Sequence, residues 1–154
     1  MAKPPIKPKL IALASGGGHW VQLQRLKPAF DGFETVYVSM FDSYAQQVPG
    51  SRYYVIPDAS RFDVKSFVPV FLKAMGILLK ERPKALVTTG SAPMLAFVLL
   101  GRLIGARTLW VDSIANSERL SSSGRMARKI AHKVVSQWPE VAEREGVGCW
   151  GAVI

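Results

Sequence analysis

The stretch "KLIALASGGGHWVQLQRL", Lys9 to Leu26, decides how the rest of the chain is understood. Lys9 to Ser15 is a short apolar run bounded by turn residues, the pattern of a buried strand. Three glycines and a histidine follow. From Trp20 to Leu26 the apolar positions take helical spacing, until Pro28 ends it. Glycines between a strand and a helix bring free backbone N–H groups and the positive end of a helix dipole to one point. That point favours an anion, and His19 sets an imidazole beside it.

The same alternation continues outward. Glu34 to Ser39 ("ETVYVS") and Tyr53 to Ile56 ("YYVI") are β-branched and aromatic, as strands are. Val64 to Glu81 carries an i, i+3, i+4 apolar stripe closed by Pro83, with Pro69 tolerated near its start. "ALVTTG" (Ala85 to Gly90) is a strand, Met94 to Ile104 a nearly all-apolar helix, and "RTLWVD" (Arg107 to Asp112) another strand. Ser123 is the expected cap of a basic helix from Gly124 to His132. A strand at "KVVSQW" follows, with one more expected in the final "GCWGAVI". Strands alternating with helices predict an α/β fold, a Rossmann-like parallel sheet with helices on both faces.

Ligands of such sheets bind beyond the carboxyl ends of the strands. Four ends therefore matter: Ser15 to His19, Thr88 to Ser91, Asp112 to Asn116 and Gln137 to Pro139. All four are small or polar. A dinucleotide fingerprint fits the first of them poorly, because Gly16 and Gly18 are followed by Val21 where the third glycine belongs, and no P-loop pattern occurs. A nucleotide-cofactor oxidoreductase is thus the weaker alternative. Turn chemistry alone also accounts for Asp112, Ser113 and Asn116.

Size and charge narrow the class further. The 154 residues suffice for one domain, 1–154, and 49% apolar content supports a core. Lys and Arg outnumber Asp and Glu 20 to 11, so the expected partner is anionic: a polyanion, a lipid surface or a phosphorylated ligand. Nucleic acid gets little support, since the aromatics do not interleave with the basic residues. Arg119, Arg125, Arg128 and Lys129 crowd one segment, "RLSSSGRMARK", that suits lipid headgroups as well as it suits a solvated helix face. The longest apolar run, Ala92 to Gly101, is far short of the roughly 20 residues that span a bilayer. The lone Cys149 fits a reducing compartment. The expectation is a peripheral protein at the cytoplasmic face of a membrane, without a transmembrane helix; a non-catalytic basic adaptor is the other alternative.

"SGGGHWVQL", "TTGSAP" and "LWVDSIANSERLSSSGRMARKIAHKVVSQWPE", in this order and with a small apolar ending, resemble one family across nearly the whole chain. It is the acceptor-side, membrane-associated subunit of split UDP-sugar glycosyltransferases. Its members include the anchor subunit of the N-glycan UDP-N-acetylglucosamine transferase and PssD-type exopolysaccharide subunits. The resemblance implies the N-terminal half of a GT-B enzyme divided between two chains, inactive alone and needing no cofactor or metal. This half would receive a polyprenyl-diphosphate-linked saccharide, while a separate catalytic subunit binds the UDP-sugar.

It further implies acceptor contacts from Gly16, Gly17, Gly18, Thr89, Gly90, Ser91, Ser113 and Asn116. His19 becomes the leading general base or a diphosphate ligand; Asp112 is the other candidate base, and the residues leave both open. The tail 147–154, with Trp150 and Ile154 as anchors, would dock the partner. Two features depart from the pattern. Eukaryotic members carry an N-terminal membrane helix that this sequence lacks, and His132 stands where many have an acid. His132 is given no role and is expected to be a helix-end residue near a favourable dipole.

Overall fold

The computed structural model describes residues 2–60 and 62–153. Six strands form one sheet: β1 (Lys9–Leu13), β2 (Glu34–Ser39), β3 (Tyr53–Val55), β4 (Ala85–Thr88), β5 (Arg107–Val111) and β6 (Lys133–Val135). All pairs are parallel and the order is β3-β2-β1-β4-β5-β6. The strand order reverses between β1 and β4, so a crevice opens there at the carboxyl edge. Among the described residues four α-helices lie between strands, α1 (Gly18–Arg25), α2 (Phe67–Glu81), α3 (Met94–Leu103) and α4 (Ser122–Ala127), and α5 (Pro139–Glu145) follows β6.

Central strands must hide both faces, which is why β1 reads as a solid apolar run: Ile11, Ala12 and Leu13 are wholly buried. On one face Ile11, Leu13, Val36, Leu86 and Trp110 pack with the apolar residues of α2, α3 and α4. On the other, Leu10, Ala12 and Tyr37 pack with Trp20 and Leu23 of α1. There Val87, Val111 and Val135 join the cluster of Trp20, Leu23 and Phe30, and two cavities of ≈ 450 and ≈ 390 Å³ are lined in part by Trp150.

Several expected boundaries move. α4 is capped by Ser121, not Ser123, and ends at Ala127 rather than His132. The cap is chosen from outside the segment: Asp112 accepts from both the Ser121 N–H (2.9 Å) and its hydroxyl (2.6 Å). β6 stops at Val135, and Pro139 then opens α5, a helix the sequence reading lacks; its fixed φ suits a first turn. Over its described residues, 148–153, the final segment is not a strand. Only Gly148 bridges to Val135, and 149–153 run outside the sheet.

His132 also differs from expectation. It lies five residues past the end of α4, where its Nδ1 accepts from the Thr108 N–H (3.1 Å). Burial, then the nearby cations Arg102 and Arg107, push its pKa below the ordinary histidine value, opposite to the effect of a favourable dipole.

Candidate functional site

The site is built where α1 begins. Gly17, at φ 59° and ψ −130°, turns the chain from β1 into the helix, and no side chain caps it. Its N–H donates to the Tyr44 hydroxyl (3.1 Å). Tyr44 is held in turn by stacking on Trp20, with ring centroids 4.7 Å apart. Gly16 allows the half-exposed ring of Phe41 to lie against the loop; a Cβ there would fall 2.3 Å from a ring carbon.

Across the crevice, β4 ends at Thr88, and Thr89 and Gly90 follow it. His19 is half-buried, and its Nδ1 donates to the Thr89 carbonyl (2.8 Å), the only role open to it against a C=O oxygen. The Thr89 hydroxyl donates back to the His19 carbonyl (2.6 Å). In the neutral ring this pairing leaves Nε2 as the acceptor. Gly90 sits at φ +110°, and a Cβ there would come within 3.0 Å of the imidazole, so glycine meets both the backbone and the packing demand. Ser91 is half-buried and its carbonyl receives the Met94 N–H (3.0 Å) at the start of α3.

The β5 end has a different character. Asp112 is 2% exposed, and its carboxylate accepts from Trp110 Nε1 (3.1 Å), Asn116 Nδ2 (3.2 Å), and the N–H and hydroxyl of Ser121. A carboxylate with four donors holds a loop; as a base it would have to break that shell. Ser113 is buried and accepts from Gln22 Nε2 (3.1 Å). His19, Thr89 and Gly90 thus form one cluster. Asp112, Ser113 and Asn116 form a second, joined to the first through Gln22 of α1.

Gln22 and Tyr44 are site neighbours the sequence reading did not assign, and Gln137, which it placed at a strand end of interest, was given no role. Gln22 and Gln137 are 5% and 4% exposed, and Gln137 Nε2 donates to Gln22 Oε1 (2.6 Å) and to the Asp112 carbonyl (2.9 Å). The available signal was a polar side chain on a helix face that also buries Leu23. Tyr44 gave none, because a loop tyrosine has no period.

Arg119, Arg125, Arg128 and Lys129 are exposed, as drawn together by α4 and its flanks. Arg128 reaches Glu145 at 3.4 Å. Arg125 and Lys129 flank Met126, which is 56% exposed. Beside them an apolar groove of ≈ 480 Å³ runs between Phe67, Phe71, Leu95, Leu99 and Ile130, with Ala92, next to Ser91, in its wall. Trp150 is 66% exposed; Ile154 lies outside the described residues. Among the described residues no helix is long and apolar enough to cross a membrane, and no cluster of three or more His, Cys, Asp or Glu has metal-site geometry.

No protein-family model matches the chain. Among curated proteins it is similar to UDP-N-acetylglucosamine transferase subunit ALG14 of Yarrowia lipolytica, with 24% identity over 89% of this chain and 76% of that protein. The same subunit of Eremothecium gossypii is 43% identical over 49 residues, 31% of this chain and 22% of the relative. Among solved structures, MurG of Acinetobacter baumannii matches with a TM-score of 0.70 at 14% identity, over 87% of this chain and 43% of that one. UDP-GlcNAc 2-epimerase of Methanocaldococcus jannaschii gives 0.67 at 16%, over 90% and 42%. The chain therefore spans less than half of these two structures, which share its Rossmann-like fold.

Proposed function

From homology to ALG14 subunits as the premise, we propose that this chain is the acceptor-binding, membrane-associating subunit of a two-component UDP-sugar glycosyltransferase. Its acceptor is a polyprenyl-diphosphate-linked saccharide in oligosaccharide or exopolysaccharide assembly, and the sugar transferred is a hexose or hexuronic acid. A separate catalytic subunit holds the UDP-sugar and completes the cleft, docking on the 147–154 tail with Trp150 and Ile154 as anchors. The complex sits at the cytoplasmic face of the membrane, peripherally.

The observation that carries this reading is the fixed imidazole. With Nδ1–H committed to the Thr89 carbonyl, Nε2 of the neutral His19 ring is the nitrogen that can accept a proton. In transfer, an acceptor hydroxyl attacks the anomeric carbon, the new C–O bond forms as the bond to UDP breaks, and the hydroxyl proton passes to Nε2. Gly16, Gly17 and Gly18 approach the diphosphate through backbone. Thr89, Gly90, Ser91, Ser113 and Asn116 line the saccharide side. Asp112, the other candidate base, is assigned instead to holding Asn116 and Ser121, because its oxygens are occupied.

The apolar groove beside Ala92, with Arg125 and Lys129 next to it, supports a lipid surface as the place of work. The deciding experiment is reconstitution. The chain, a co-purifying partner, UDP-sugar and a lipid-diphosphate acceptor give transfer together, and the chain alone gives almost none. Full-rate transfer by the chain alone would end the two-component reading.

A further inference from the structure

A buried polar relay runs from the tail to the helix that carries His19. The Val153 N–H donates to Gln137 Oε1 (2.7 Å). That contact orients the Gln137 amide, whose Nε2 then donates to the Asp112 carbonyl (2.9 Å) and to Gln22 Oε1 (2.6 Å). Gln22 Oε1 also receives the Ile114 N–H (3.2 Å), so Gln22 Nε2 must face Ser113 Oγ (3.1 Å). Each amide's orientation is dictated by the one before it, and the first donor in the series belongs to the tail.

Gln22 follows His19 by three residues on α1, so the two lie on neighbouring faces of the same turn. His19 is in turn bound twice to Thr89, by ring and by carbonyl. Moving Gln22 therefore displaces the base of the imidazole against a fixed strand end. A cavity of ≈ 450 Å³ is lined by the tail on one side and by Arg25 of α1 and the following Leu26 on the other, and Trp150 is largely in solvent. Two nearly inaccessible glutamines in place of apolar residues add little net stability, but they specify one geometry.

We propose that Gln22 and Gln137 are positioning residues for His19, and that the segment Trp150–Val153 sets their geometry, so that engagement of the tail is transmitted to the imidazole. The inference rests on the proposed role of His19, but its first test does not use transfer. The chain has two histidines, so ¹⁵N spectra of the chain alone report the His19 tautomer with His132 as internal control. Val153→Pro removes one N–H at the periphery and leaves the core intact.

The expected result is a change from a single Nδ1–H tautomer at His19 to a mixture, with shifted Gln22 side-chain amide signals and an unmoved His132. Unchanged Gln22 and His19 signals would overturn the inference, as would an equal disturbance of His132. Gln137→Leu is expected to reproduce the His19 change, and combining it with Val153→Pro adds nothing further; additive effects would count against one relay.

In the reconstituted pair, Val153→Pro is expected to lower kcat about tenfold with KM for the acceptor unchanged, the mark of a misplaced group rather than a lost contact. A raised KM at unchanged kcat contradicts the relay. Absent transfer in the wild-type pair, with the spectral coupling present, would instead refute the functional reading and leave the relay standing.

Discussion

The two edges of the sheet use polar residues in opposite ways. At the amino edge Glu81, 3% exposed at the end of α2, takes hydrogen bonds from Arg52 Nε (2.9 Å) and Nη2 (2.8 Å), from the Tyr54 hydroxyl (2.6 Å) and from Lys9 Nζ (3.2 Å). Within this cluster Lys9 and Arg52 face Glu81, Arg52 also pairs with Glu34 (2.8 Å), and the contacts tie α2 to β1 and β3. At the carboxyl edge the groups are mostly uncharged, and His19 keeps its Nε2 clear of that bonding. The two histidines repeat the contrast: Nδ1 of His19 is a donor at the carboxyl edge, while Nδ1 of His132 is an acceptor at the amino edge. One edge is closed by charged hydrogen bonds, and the other is where the proposed function places the chemistry.

The largest expected effect tests the carboxyl edge. His19→Ala lowers transfer by the reconstituted pair by about 10²-fold or more, with thermal stability almost unchanged. His132→Ala leaves transfer near the wild-type rate; comparable losses for both would erase the contrast between them. Asp112→Ala should behave in the reverse sense to His19→Ala, costing about 3 kcal/mol of stability in denaturant unfolding, because the donors of Asn116, Trp110 and Ser121 lose a charged partner. A variant that folds as well as wild type but has no activity would return Asp112 to the role of base.

The closed edge is tested by pH. Burial pushes the Glu81 carboxyl up, but the hydrogen bonds from Arg52, Tyr54 and Lys9 prevail and hold it at about 2. A depressed folded pKa contributes stability above the unfolded value near 4.5, lost as pH falls toward 2. Burial and then the bond to Glu81 raise Tyr54 to about 12, so its contribution is whole below pH 10 and fades as pH rises toward 12. Glu81→Gln should cost about 2 kcal/mol at neutral pH, less than a fully enclosed pair because Arg52 and Lys9 are partly solvated, and should flatten the acid limb. An unchanged acid limb in urea titrations would show that the cluster is not what fails.

The smallest effect concerns the membrane side. Arg125→Ala and Lys129→Ala should each weaken binding to anionic vesicles about fivefold at low salt and leave neutral vesicles unaffected. Equal loss on neutral vesicles would assign the binding to the apolar groove instead.

Much of the fold is legible in the sequence. β1, β2, β4 and β5 follow from apolar runs between turn residues, because strands hidden on both faces cannot be written otherwise. The clustering of small and polar residues at strand ends pointed to the carboxyl edge, where the structure places His19, Thr89, Gly90 and Ser113. The C-terminal third was harder. Its elements are short, and Pro139 opens a helix of seven residues, too few for a period to show. Gln22 was illegible for a different reason: a polar residue on a helix reads as exposed unless its distant partners, Ser113 and Gln137, are known.

The sequence by itself determined the α/β class, the parallel sheet and the glycine turn into α1, since these follow from local pattern and backbone freedom. Three serines in a row, Ser121 to Ser123, are equal as caps until Asp112 arrives from β5 and selects the first. Which nitrogen of His19 carries the proton in the neutral ring was likewise settled only when β4 came alongside α1 and offered the Thr89 carbonyl. Hydrogen bonds between residues 70 or more positions apart are made by packing, and no local pattern encodes them.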